Sequence, residues 1–181
     1  MKTKQKNVLN ASAALLLGMG VIVSAYASDG EVDFQGIVTA QTCTVDATSK
    51  NLNVPLPTVS ANSLAKPGDA VGSQLFTIKV SDCSSGTKAV AAAFEANASL
   101  DASTGNLKNQ SDDTAAAKNV EIQLMNSDSS PITVGNASTV KSTPVVSGSA
   151  SMDYRAKYVA VDGAATAGPV QSHVTYSLNY Q

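Results

Sequence analysis

The sequence predicts an all-β chain, a sandwich of immunoglobulin type, on three observations: repeated two-residue alternation of apolar and polar side chains, turn signals between those runs, and two widely spaced cysteines. Phe76, Ile78 and Val80 alternate with Thr77, Lys79 and Ser81, and Val120, Ile122 and Leu124 alternate with Glu121 and Gln123. A third run sends Met152, Tyr154, Ala156, Tyr158 and Ala160 one way and Asp153, Arg155 and Lys157 the other. Such a period belongs to half-buried antiparallel strands. Residues 52–56 and 89–94 are weaker strand candidates. Lys66-Pro67-Gly68-Asp69, Ser84-Ser85-Gly86, Ser103-Thr104-Gly105-Asn106, the stretch 126–131, Gly135-Asn136 and Asp162-Gly163 supply the breaks. No helix is expected beyond a single turn at 113–118, and no internal repeat stands out.

Composition narrows the function. Among 181 residues, 14 are acidic and 12 basic, so a net charge of −2 offers no electrostatic grip on nucleic acid. With one histidine, no tryptophan and 4% aromatic residues, catalysis has few groups to use, and neither an enzyme, a small-molecule substrate nor a cofactor is expected. His173 falls on the outward face of its strand and reads as solvated rather than as part of a triad. Asp112-Asp113 and Asp128-Ser129-Ser130 lack the alternating oxygen ligands and glycine of a calcium loop, so they read as turns and no metal is expected.

Residues 1–27 read as a cleaved secretory signal. Lys2, Lys4 and Lys6 form a basic head, 8–23 is largely apolar around Leu15-Leu16-Leu17, and Ala25-Tyr26-Ala27 places small residues where a signal peptidase cuts. The alternative, a membrane anchor, is disfavoured by Asn10, Ser12, Gly18 and Gly20 in a short run. Export leads to an oxidising compartment, where Cys43 and Cys83 are expected to pair. Closing that loop would stabilise the fold by about 4 kcal/mol on the chain-entropy estimate.

The two ends of the exported part carry the functional signal. Val170, Ser172, Val174, Tyr176, Leu178 and Tyr180 alternate with Gln171, His173, Thr175, Ser177, Asn179 and Gln181, a strand for which no following segment can supply the next neighbour. Near the other end, Val32, Phe34, Gly36 and Val38 alternate with Asp33, Gln35, Ile37 and Thr39. Periodicity alone leaves this second strand open: it is either the first strand of its own domain or an extension that pairs elsewhere.

Several motifs together resemble the major pilin subunits of type 1 fimbriae, assembled by the chaperone-usher pathway of Gram-negative bacteria. They are Val32-Asp33-Phe34-Gln35-Gly36 ahead of Ala40-Gln41-Thr42-Cys43-Thr44-Val45-Asp46, Pro57-Thr58-Val59, and Phe76-Thr77-Ile78-Lys79-Val80-Ser81-Asp82-Cys83. Residues 119–126, Tyr154-Arg155-Ala156-Lys157-Tyr158, Gly168 and the penultimate Tyr180 complete the set. The resemblance implies an incomplete immunoglobulin-like β-sandwich lacking its last strand, completed by a donor strand from another subunit. It divides the chain into a signal (1–27), a donor-strand extension (28–41) and a pilin domain (42–181). Val32, Phe34, Gly36 and Val38 would face the neighbour's groove. Gly168, Val174, Tyr176, Leu178, Tyr180 and Gln181 would form the groove and chaperone-recognition segment, with the Gln181 carboxylate meeting basic residues of the chaperone.

The partners so implied are identical or related pilin subunits joined head to tail, a periplasmic chaperone and an outer-membrane usher. The expected product is a structural subunit of an adhesive fimbria on the cell surface. A minor adaptor or adhesive subunit of the same pathway, or a secreted β-sandwich binding module, are the alternatives.

Overall fold

The computed structural model describes residues 32–36, 38, 40 and 42–181. The signal read at 1–27 lies outside the described residues, as do 28–31, Ile37, Thr39 and Gln41. The chain forms two units, Met1–Val38 and Thr39–Gln181. In the first, residues 32–36 and 38 have no regular secondary structure, and Val32, Phe34 and Val38 are exposed.

The second unit is a two-sheet β-sandwich. Its strands are β1 (Thr44–Val45), β2 (Ala70–Ser81), β3 (Ala89–Phe94), β4 (Leu107–Lys108), β5 (Val120–Asn126), β6 (Pro131–Ile132), β7 (Thr143–Pro144), β8 (Ala150–Ala160) and β9 (Tyr176–Tyr180). One sheet runs β1-β2-β8-β5-β4, with β6 also pairing β5, and the other runs β7-β3-β9. Every pairing is antiparallel.

The alternating runs become the central strands of the larger sheet because each has an apolar face to bury. Ile78 and Val80 from β2, Leu124 from β5, and Met152, Tyr154 and Ala156 from β8 meet Val90, Ala92 and Phe94 from β3 in one core. Phe76, Phe94 and Tyr154 pack as an aromatic cluster, with the Phe94 and Tyr154 centroids 5.2 Å apart edge to face. The Ala92 amide donates to Tyr154 Oη at 3.0 Å, so the one polar atom of that ring is satisfied inside the core.

Three local features depart from the sequence reading. Residues 52–56 lack a ladder: Pro55, and Pro57 just after, have no N–H to donate, so this candidate strand stays an unpaired wall. A four-residue helix, α1 (Ala47–Lys50), forms where none was expected, started by Asp46, whose side chain accepts from Thr48 N. In β5 the polar face is covered as well. Glu121 is buried beneath the 101–106 turn and accepts from Thr104 Oγ1 at 2.7 Å and Asn106 Nδ2 at 3.1 Å. Within β2 the register slips between Val71 and Gln74 at Gly72, whose φ of +75° and close approach to the Tyr158 ring exclude a side chain.

Candidate functional site: an apolar groove beside an edge strand

Strand β9 is held on one side only. It pairs with β3 from Val90↔Tyr180 to Phe94↔Tyr176, and among the described residues no strand bonds its other edge. Such an edge presents a row of unpaired N–H and C=O groups, a template for a further strand. Its inward side chains, Tyr176, Leu178 and Tyr180, are half-buried, as is Val174 just before it, while the alternate residues are exposed.

Between this edge and the wall at 50–56 lies a groove of about 750 Å³. Val174 and Tyr176 line one side, Val54 and Leu56 the other, and Phe76, Ile78, Phe94, Ile122 and Leu124 form its floor. The hydrophobic core of the sandwich is therefore open along one seam. Ser172 Oγ sits in this lining, buried and without a hydrogen-bond partner. An unsatisfied hydroxyl in an otherwise paired interior costs about 1–3 kcal/mol.

Two tyrosines fix the walls relative to each other. Tyr176 Oη donates to the Ser49 carbonyl at 2.8 Å, and the Cys43 amide donates to Tyr180 Oη at 3.1 Å. Burial pushes the Tyr176 phenol above its ordinary value. Ser49 is itself anchored, since Lys79 N donates to its Oγ at 3.0 Å. The Cys43–Cys83 disulfide forms as expected, with Cα atoms 4.0 Å apart. Beside it, Ser84 N donates to Thr42 O at 2.8 Å. Residues 42–49 are thus pinned to both sheets before the wall at 50–56 begins.

The remaining residues singled out from sequence are placed as follows. Leu178 and Tyr180 pack half-buried against the core beyond the open part of the groove. Gln181 is exposed, and its backbone oxygen accepts from the amides of Lys88 and Ala89. Gly168 lies away from the groove lining, against residues 115–117, where a Cβ would come within 2.1 Å of the Ala115 carbonyl oxygen; the fold itself requires glycine here. Val32, Phe34 and Val38 expose 74%, 92% and 101% of their surface, and the Gly36 Cα has open space where a Cβ would stand. His173 is exposed, as its place in the alternation predicts. The tyrosine ties, the orphan Ser172 hydroxyl and the cation Lys50 on the wall were not foreseen. Each depends on which distant segment lies opposite, and no local pattern carries that.

Residues 42–181 thus form a sandwich with an open seam beside β9, which among the described residues is bonded on one edge. The profile of the family described as Fimbrial protein matches residues 32–181, and the chain belongs to that family of type 1 fimbrial pilins. It is 43% identical over 176 residues to the F17 fimbrial protein of Escherichia coli, covering 90% of this chain and 96% of that protein. Against the major fimbrial subunit SMF-1 of Stenotrophomonas maltophilia the identity is 39%, over 87% of this chain and 96% of the relative. The type-1 fimbrial protein A chain of Escherichia coli K12 is 30% identical over the full length of both. In fold the chain is similar to a chaperone-usher pilus subunit (TM-score 0.60, 16% identity, 85% and 96% covered). It is also similar to the P pilus rod subunit PapA (TM-score 0.59, 16% identity, 77% and 99% covered). The protein is a fimbrial subunit, exported and assembled at the cell surface, and its relatives are structural proteins.

Proposed function

We propose that this chain is the main structural subunit of its fimbria and polymerises head to tail by donor-strand exchange. Residues 28–41 of one subunit fill the groove of the next, after a periplasmic chaperone has covered that groove and delivered the subunit to an outer-membrane usher. The observation that carries the reading is the pairing of opposites within one sequence. A 750 Å³ apolar groove borders a strand with one neighbour, and a separate alternating segment exposes Val32, Phe34 and Val38.

Burying those three side chains contributes on the order of 5–8 kcal/mol as an upper estimate, and ladder bonds to the free edge of β9 add to it. Gly36 suits the point where the strand crosses close to the floor, since a bare Cα permits that approach. Val174, Tyr176, Leu178, Tyr180 and Gln181 form the segment along which the chaperone, and then the donor, aligns. A relative named as a major fimbrial subunit is 39% identical and one named as a minor fimbrial subunit 32%, and the main-subunit reading follows the first.

The test is Phe34→Asp in the full chain. A carboxylate cannot enter the apolar groove without a desolvation cost of several kcal/mol. Fibre formation is expected to fall at least tenfold while the chaperone-bound subunit still accumulates in the periplasm. Normal fibres from this variant would refute the donor assignment.

A further inference from the structure

We propose that Lys50, on the groove wall, is the electrostatic receptor for the acidic row of the incoming donor segment of a second copy. The inference rests on the donor-strand reading and adds what guides the strand to its seat. Residues 28–41 contain Asp29, Glu31 and Asp33 and no Lys or Arg, a charge of −3. All three carboxylates stand at alternate positions to Val32, Phe34, Gly36 and Val38, so an extended strand that buries its apolar set turns them outward together.

The domain they approach is itself acidic: residues 42–181 hold nine Lys or Arg and eleven Asp or Glu. Net charge therefore opposes the encounter, and attraction has to be local. The groove supplies it. Its lining contains no carboxylate and a single Lys or Arg, Lys50. Lys50 is exposed at the end of α1 and holds no ion pair: among the described residues the one salt bridge joins Lys141 and Asp128.

Asp46, which caps α1, accepts from Thr48, and Glu95 accepts from Thr175 Oγ1 beside β9. Both carboxylates stay outside the groove lining, where Lys50 is the one Lys or Arg. With a Debye length of about 8 Å at physiological salt, a charge on the wall acts on the incoming strand more strongly than charges farther off.

The experiment follows incorporation of a fluorescent peptide of residues 28–41 into the full mature chain, read as a complex that survives SDS without boiling. Lys50→Glu is expected to slow incorporation about three- to tenfold at ~20 mM salt, with the difference shrinking below about twofold at ~500 mM. Lys50→Gln should fall between. A peptide carrying Asp33→Lys should enter the Lys50→Glu chain within about twofold of the wild-type pair, recovering the rate by exchange of charges. Equal rates for Lys50→Glu and wild type at low salt would overturn the role of Lys50 and leave donor-strand exchange intact. Equal incorporation of wild-type and Phe34→Asp peptides would overturn the donor reading itself.

Discussion

Strands β8 and β9 carry similar alternations and have opposite fates. β8 is bonded on both edges, to β2 and β5, and its Tyr154 is 2% exposed, with its hydroxyl held by Ala92 N. β9 is bonded on one edge, and its Tyr176 remains half-buried at the mouth of the groove, with its hydroxyl reaching a loop carbonyl at Ser49. The same chemical device closes a core in one place and braces an open seam in the other. A strand with two neighbours closes the core, and a strand with one leaves an edge and a seam open.

Truncation experiments sharpen this contrast most. Met152→Ala, in the closed core away from the groove lining, should cost about 2–5 kcal/mol in unfolding of the isolated subunit and a similar amount in the fibre. Val174→Ala, on the groove wall, should cost clearly less in the isolated subunit. Its penalty should grow in the fibre if a donor strand completes its burial there, as proposed. Denaturant midpoints for both forms measure the two differences, and equal penalties for Val174→Ala in both forms would break the comparison.

Removing the Cys43–Cys83 bridge comes next. Opening a loop of sequence separation 40 should cost about 4 kcal/mol, measured by chemical unfolding of the double Cys→Ala variant. The hydroxyls give smaller effects. Tyr154→Phe strands the buried Ala92 amide and Tyr176→Phe strands the carbonyl of the buried Ser49, so each should cost about 1–3 kcal/mol.

Alkaline titration gives the last and smallest test. Burial raises the phenols of Tyr154, Tyr158 and Tyr176 above the ordinary value of 10.0, opposed in Tyr154 by the hydrogen bond with Ala92. Above about pH 10 the unfolded chain loses these protons while the folded chain keeps them, so stability present below that pH declines as pH rises. Tyr154→Phe should flatten the decline more than Tyr176→Phe, since Tyr154 is the more deeply buried of the two.

How much of this was legible depended on whether a feature is written locally. The alternations of β2, β5 and β8 mark their inner faces because a strand repeats every two residues and these strands turn one face to the core. The outer face of β5 was misjudged at Glu121, since a turn from elsewhere covers it. Alternation in burial continues from Val170 to Tyr180, yet the ladder spans only Tyr176–Tyr180, because β3 ends at Phe94. Helix α1 had a readable cap in Asp46-Ala47-Thr48, but four residues are too few to show a helical period. For the groove, the apolar face of β9 was visible in sequence. Its width, the tyrosine ties and the placement of Lys50 came from segments meeting at long range.

The most direct measurement of an incomplete sandwich is the state of the purified, full mature chain in SDS at room temperature. Subunits sealed by one another's strands should run as a ladder of regular steps that collapses to one band on boiling. A cooperatively folded, unassociated monomer that keeps both ends intact and forms no ladder would contradict the account.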